Sequence, residues 1–516
     1  MECGNGLGSR AGKVKFGALY AQLACLPRHI SSELSTIFLC QLLLSKDKKR
    51  CKNSELFRNI IEEANFLLTE GLDIYDGTTR KRVKFQVILM TGDNLGLNDI
   101  FGYTKSFKTN YYCRRCKATS KAAACMSQEN PFISRNVSNY DEDAKKANSE
   151  VSGIRELCAF HKMQNFHIAK NWSMDVMHDF MEGVATYVIH AVLKTLIYEK
   201  KLFSLQTLNN RLLNFNYGPG NPNKPPEIKE KTFKNRSTLK MSAAEVLCLT
   251  RYLCLIIGDL VEENDEHYEL LKYLRRILDV LSCRWVKKSN TSYFKYLIKQ
   301  HHELYMSLYG DLKPKFHFLI HYPEQLLQLG PCFDYSTMRF ESRHRPVKSI
   351  VQSTSSKRNL LYTVAIKQSL AAFKNIQTYN IGEKIKIKSN DIIEVEILKN
   401  NKNIKMLKEV DVNGITYKVG MFLVTHIFKS LKLFGKIKSI VNVGDNLYFT
   451  TEQYKEVYFD EHFHSYAIER SSSEDLSLSF DTLAYIDPVL SITKNTATPS
   501  SKKQIIEHLI CIKSGL

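Results

Sequence analysis

The sequence predicts an α/β protein interrupted by a large helical block and followed by a small all-β domain. Three observations carry this prediction. Val83-Lys84-Phe85-Gln86-Val87-Ile88-Leu89-Met90 reads as a buried strand that ends at Thr91-Gly92-Asp93-Asn94-Leu95-Gly96. From Asp175 to about residue 310 the apolar residues recur at helical spacing. After about residue 384 short apolar runs alternate with Gly and Asn turns, the pattern of a small antiparallel barrel or sandwich.

Taken in order, Gly4 to Lys13 is glycine-rich, and Val14 to Tyr20 then alternates like a strand. A strand with nothing to pair with at residue 14 leads us to expect that the N-terminal part of a domain is missing. Residues 33–45 read as a helix. So do residues 54–70, where Ser54 caps a stripe of Leu56, Ile60, Ile61, Ala64, Leu67 and Leu68. Lys46, Lys48, Lys49, Arg50 and Lys52 form a basic loop between them. Residues 120–150 are polar and read as a loop. Helices follow over 176–200, 241–262, 265–284 and 291–309, interrupted at 214–240 by Asn, Pro, Gly and Lys. Another is expected over 357–376. Strands are expected at 391–398, 415–419, 434–440, 446–449 and 466–468, then a polar linker at 492–501 and a terminal helix at 503–513. The expected domains are 1–149, 150–310 (the helical insertion), 311–383, 384–491 (the β domain) and a tail, 492–516.

The chain of 516 residues carries a formal net charge of +20, with Lys+Arg 73 against Asp+Glu 53, which favours a polyanionic partner. Its 13 cysteines are scattered, and several sit in apolar runs. Met1 to Gly6 contains no apolar segment of the kind that opens a signal peptide. Reduced thiols and an intracellular protein are therefore expected. The most apolar run, Val246 to Val261, contains Arg251 and Asp259 and is too short to cross a bilayer, so no membrane association is expected.

One stretch carries the most chemistry. Pro314 can open a short helix and Pro323 limits its continuation, so His317 and His321 fall at i, i+4 on one face. Two imidazoles are too few for a structural zinc, which wants four ligands. Cys113-Arg114-Arg115-Cys116 supplies the obvious second pair, and Cys-x2-Cys with His-x3-His is a common zinc set. The pairs lie roughly 200 residues apart, so the ion would tie distant parts of one domain together.

Acids flank both pairs. Asp93 lies 20 residues before Cys113, and Glu341 lies 20 residues after His321. Convergence of the pairs could bring these carboxylates together, as oxygen ligands for Mg²⁺ or Mn²⁺ in phosphoryl transfer on nucleic acid. Arg339, Arg343, His344, Arg345 and Lys348 surround Glu341 and would hold a phosphate backbone.

The motifs Asp93-Asn94-Leu95-Gly96, Tyr112-Cys113-Arg114-Arg115-Cys116, Met174-Asp175-Val176-Met177-His178-Asp179, Lys313 to His317 with His321-Tyr322-Pro323, and Met338-Arg339-Phe340-Glu341 occur in this order. Together they resemble a CACTA-related DDE transposase and the catalytic core of the vertebrate immune-receptor recombinase. The resemblance covers about residues 4–375. It implies an RNase H-like core with a helical insertion before the last acid. It also implies two Mg²⁺ ions on an Asp, Asp, Glu triad, a structural zinc, double-stranded DNA as partner, and a nuclear location. A homodimer is compatible with it. Residue by residue, Asp93 matches the second Asp, Glu341 the Glu, and Cys113, Cys116, His317 and His321 the zinc ligands. The first family Asp has no counterpart, since no Asp occurs before Asp47. A rival assignment takes Asp93 and Asp175 as the two aspartates. Asp175 and His178 could instead form a structural pair. Two function classes stay open: a transposon-derived nuclease or strand-transferase, and a non-catalytic DNA-binding or protein-interaction module on the same fold.

Overall fold

A computed structural model describes residues 7–9, 12–14, 16–45, 47–218, 222–356, 358–378, 385–387, 392–395, 404–428, 431–444, 446–483, 485–493 and 507–510. The fold is mixed α/β with a C-terminal β-sheet region. It divides into two compact units. One comprises Met1–Pro27, Ser31–Val184 and Arg284–Tyr379; the other comprises Arg28–Ile30, Ala185–Cys283 and Asn380–Leu516.

In the first unit, Phe16–Ala21 pairs antiparallel with Phe38–Leu44. The helices His344–Ser353 and Leu360–Thr378 pack on this pair, with Phe16, Val347, Val351, Leu360 and Val364 as their shared core. The expected helix at 33–45 is therefore a strand, preceded by one 3₁₀ turn at Leu34–Thr36. The apolar residues on either side of Gln41 fit both periods, and here pairing with Phe16–Ala21 decides.

The expected buried strand at 83–90 is also corrected. Thr79–Val83 is the second strand of an exposed hairpin with Leu72–Asp76. Residues beyond it alternate between half-buried and exposed without a ladder. Their backbone groups are met singly: Phe85 N–H donates to Leu67 O at 2.9 Å, and Met90 N–H to Asn171 O at 2.9 Å. Asp93 consequently follows an extended segment and caps the helix Asn94–Ile100. The expected loop at 120–150 contains the helices Ser120–Ala123 and Val137–Lys146, each with a side-chain N-cap. Within the basic loop, Lys48 is nearly buried and pairs with Asp99 at 3.1 Å; Lys46 lies outside the described residues.

Among its described residues, the second unit holds the helices Thr186–Lys194, Leu205–Asn214, Glu230–Asn235, Ala243–Ile257 and Glu266–Ser282. Its main sheet closes on itself. Phe422–Phe428 pairs with both Leu431–Val443 and Tyr485–Thr493, and the ring continues through Glu507–Ile510, Ser465–Ser479 and Asn446–Asp460. Asp279 of the helix Glu266–Ser282 is buried against Arg275 and accepts from His464 Nε2 at 2.5 Å, which anchors the turn after Asp460. The expected terminal helix is corrected where it is described: Glu507–Ile510 is a strand. Of the expected strand at 391–398, Ile392–Val395 is described, and the linker at 492–501 lies almost wholly outside the described residues.

Candidate metal centre and carboxylate cluster

The helix Pro314–Leu319 starts at a proline whose missing N–H costs nothing there, and it carries His317 into the core. His321 follows one turn later, immediately before the helix Tyr322–Leu329. Both rings are fully buried, as are Cys113 and Cys116. Cys116 Sγ lies 3.2 Å from His317 Nε2, and Cys113 Sγ lies 3.6 Å from His321 Nε2. The four ligand atoms all lie within 4.8 Å of one another. A tetrahedral zinc with its usual bond lengths would set sulfur and nitrogen ~3.5 Å apart, so the cluster fits a metal such as zinc.

The surroundings favour such an ion. His321 Nδ1 lies 2.8 Å from Glu129, a carboxylate that fixes which ring nitrogen faces the cysteines. Arg115 N–H donates to Cys113 Sγ at 3.3 Å. Arg135 is buried and donates from Nε to the carbonyls of Cys113 and Cys116, both at 3.2 Å, which holds the cysteine turn. Hydrogen bonding to Cys113, and then burial, raise the Cys116 thiol; burial opposes ionisation of Cys113, but Cys116, His321 and His317 outweigh it and bring Cys113 down. A dication would let both ionise.

Arg114, between the two cysteines, couples this centre to Asp93. It donates to Asn94 O at 2.8 Å and to Asn94 Oδ1 at 2.9 Å, and its guanidinium stacks 4.5 Å from the Trp172 ring centroid. Asp93 Oδ1 accepts from Gly96 N–H at 2.7 Å. Asn94 donates to Asp179, whose other oxygen accepts from Tyr322 OH at 3.0 Å. Burial pushes Asp179 up to about 6. Tyr322 adjoins His321, so Asp179 links the two halves of the metal centre.

Asp175 organises the Glu341 segment. It is buried and accepts from Thr337 N–H at 2.8 Å and from the Thr337 hydroxyl. Thr337 begins the helix Met338–Ser342, which carries Glu341. His178 completes a second connection, with Nδ1 2.6 Å from Asp175 and Nε2 3.1 Å from Glu341. Burial opposes charge on His178, but the hydrogen bonds to both carboxylates outweigh it and push the ring up to about 10. Lys315 adds a cation. Burial lowers it, opposed by the charges of Asp179, Glu182, Asp93 and Asp175 in decreasing order. Its ammonium donates to Glu182 O at 3.0 Å. Gly183 makes room for it, because a Cβ there would meet Lys315 Cδ at 2.5 Å. Gly183 also breaks the helical geometry of Met177–Ala185, a π-helical segment of the kind found at functional sites.

The expected phosphate contacts divide. Arg339 and Arg345 are exposed and Lys348 is partly exposed. Arg343 and His344 are buried and used internally, a correction to the phosphate reading. Arg343 Nε donates to Ile37 O at 3.2 Å, and His344 Nδ1 lies 3.1 Å from Tyr20 OH. Burial brings His344 down to about 4, so it carries no charge at neutral pH.

Sequence reasoning did not single out Glu129, Arg114, Asp179, Lys315 or Thr337. Asp179 had a readable signal, since it lies one turn from Asp175 on the same helix face. A second group, Asp141, His161 and His167, also comes together. Three of its four ring nitrogens have hydrogen-bond partners: Ile168 N–H donates to His161 Nε2 at 3.2 Å, Ala169 N–H donates to His167 Nδ1 at 3.0 Å, and His167 Nε2 faces Asp141. His167 Nε2–H therefore donates to Asp141, and the group is a hydrogen-bonded one.

No protein-family model matches the chain, and no curated protein is significantly similar to it.

Proposed function

We propose that the chain is a DDE transposase-like, RNase H-type protein of the nucleus. In this reading it binds double-stranded DNA and holds a structural zinc at Cys113, Cys116, His317 and His321. The observation that carries the reading is the coupling of that cluster to acids. Arg114 and Tyr322, each adjacent to a ligand, reach the Asp93 helix and Asp179, while Asp175, His178 and Glu341 form one hydrogen-bonded row. Mg²⁺ or Mn²⁺ would supply Lewis-acid stabilisation of a phosphodiester's developing charge at Asp93, Glu341 and Asp175. The chain's own contribution is to orient Glu341 and to hold DNA through Arg339, Arg345 and Lys348.

Cleavage by this chain is expected to be defective. Asp175 spends its oxygens on Thr337 and His178, and Asp93 caps a helix. Two ions need carboxylates to clamp both the attacking and the leaving oxygen. These engagements also favour the second reading, a non-catalytic DNA-binding module or a protein-interaction module on the same fold.

The test incubates the 516-residue protein with duplex DNA and Mg²⁺ or Mn²⁺. Binding that weakens steeply with salt, weakens further in Arg345→Ala and Lys348→Ala, and occurs without nicking is expected. Salt-independent binding would overturn the DNA reading. Nicking that disappears in Asp93→Ala and Glu341→Ala would overturn the defect.

A further inference from the structure

The helix Leu360–Thr378 is apolar on two opposite faces. Leu360 and Val364 face the core of the first unit. On the other side Tyr362, Ile366, Leu370 and Phe373 are 70%, 44%, 64% and 61% exposed. Their spacing of four, four and three residues puts them within one narrow stripe along the helix. Isolated exposed apolar residues are ordinary, but four large ones in a line mark an interaction surface.

The helix also has a charge asymmetry. Thr363, Lys367 and Lys374 follow one border of the stripe, whereas Ala365, Ser369 and Ala372 follow the other. It contains no acidic residue, and neither does the adjacent helix His344–Ser353. We infer that this stripe docks an amphipathic helix of a partner protein that carries Leu-type anchors and acidic residues along one edge. Helix recognition of this kind reads anchors one turn apart, and matched charges set orientation and encounter rate. A second copy docked through the same helix offers no acid to meet Lys367, because that helix has none. A large side chain offers at most about 250 Å², so four at 44–70% exposure present less than the roughly 800 Å² that each partner contributes to a standard interface. That area suits a docked helix rather than a permanent dimer. The inference stands apart from the DNA-binding reading.

The test uses the full chain and a fluorescein-labelled helical peptide with Leu at heptad a and d positions and Glu along one flank. A matched peptide with Lys in place of Glu is the control. Fluorescence anisotropy is expected to show micromolar binding of the acidic peptide, at least about tenfold tighter than the basic one. Leu370→Glu and Phe373→Glu are expected to weaken it at least tenfold, and Lys367→Glu to reverse the preference. Tyr362→Lys, at the opposite end of the stripe, gives an independent arm, and circular dichroism checks each variant's fold. No binding, or equal binding of both peptides by the wild-type chain, overturns the proposal. So does a concentration-dependent dimer that Leu370→Glu abolishes, which would make the occupant a second copy. Loss of DNA affinity in Leu370→Glu, with no competition by the acidic peptide, would make it nucleic acid and overturn the proposal as well.

Discussion

His178 holds Glu341 across a gap of 3.1 Å, and the same ring is anchored on Asp175 at 2.6 Å. Glu341 is thus positioned both through its helix, which Asp175 starts at Thr337, and through its side chain. Removing the imidazole leaves Asp175 buried without its cation. His178→Ala should cost about 3 kcal/mol, the scale for breaking a buried ion pair from one side. Urea unfolding checks this. A loss below about 0.5 kcal/mol would mean that His178 carries no charge there.

Gly183→Ala tests the space around Lys315. The new Cβ would overlap Lys315 Cδ, so the lysine must leave its bond to Glu182 O. A cost of about 1–3 kcal/mol is expected, as for overpacking. The same substitution in a Lys315→Ala background should cost clearly less, and additive losses in that double-mutant cycle would refute the clash.

The metal centre predicts one equivalent of bound metal by elemental analysis. Chelation or Cys116→Ser should lower the melting temperature by roughly 5–10 °C, because binding energy at such a centre is folding energy. Protein purified without metal, with a melting temperature that neither chelation nor Cys116→Ser moves, would rule out a structural ion.

Acid should destabilise the first unit through His302. Its ring is fully buried, and burial brings it down to about 4, with Nε2 2.9 Å from Phe316 O. The unfolded ring titrates near 6.5 and so takes up protons first as pH falls. Stability is therefore full above about pH 6.5 and declines towards pH 4, by up to roughly 3 kcal/mol. His302→Gln should flatten that part of the profile. An unchanged slope between pH 6.5 and 4 would assign the loss to other groups.

The candidate metal ligands were legible because their chemistry is local: two thiols three positions apart, and two imidazoles one turn apart between prolines. Glu341 and Asp175 were legible as acids but not as partners, since His178 joins them only after chain reversal. Residues 33–45 misled because apolar residues crowd both sides of Gln41 and fit either period, and only the Phe16–Ala21 strand selects extended backbone. Residues 83–90 misled in the opposite direction. They carry the β-branched and apolar residues of a buried strand, but single hydrogen bonds to Leu67 and Asn171 replace a ladder. Arg343 and His344 looked like surface charge because sequence does not reveal that Ile37 and Tyr20 lie against them.

The two halves of the metal centre are 201 residues apart between Cys116 and His317. At about 5–20 residues per second, a ribosome releases the cysteines roughly 10–40 s before the histidines. Throughout that interval the thiols have no imidazole partners and sit beside the exposed backbone of a growing chain. The order of synthesis therefore creates a window in which oxidation or capture by another metal-binding group competes with correct assembly. The yield of native protein should depend on thiol redox state and metal supply during translation, not only after it.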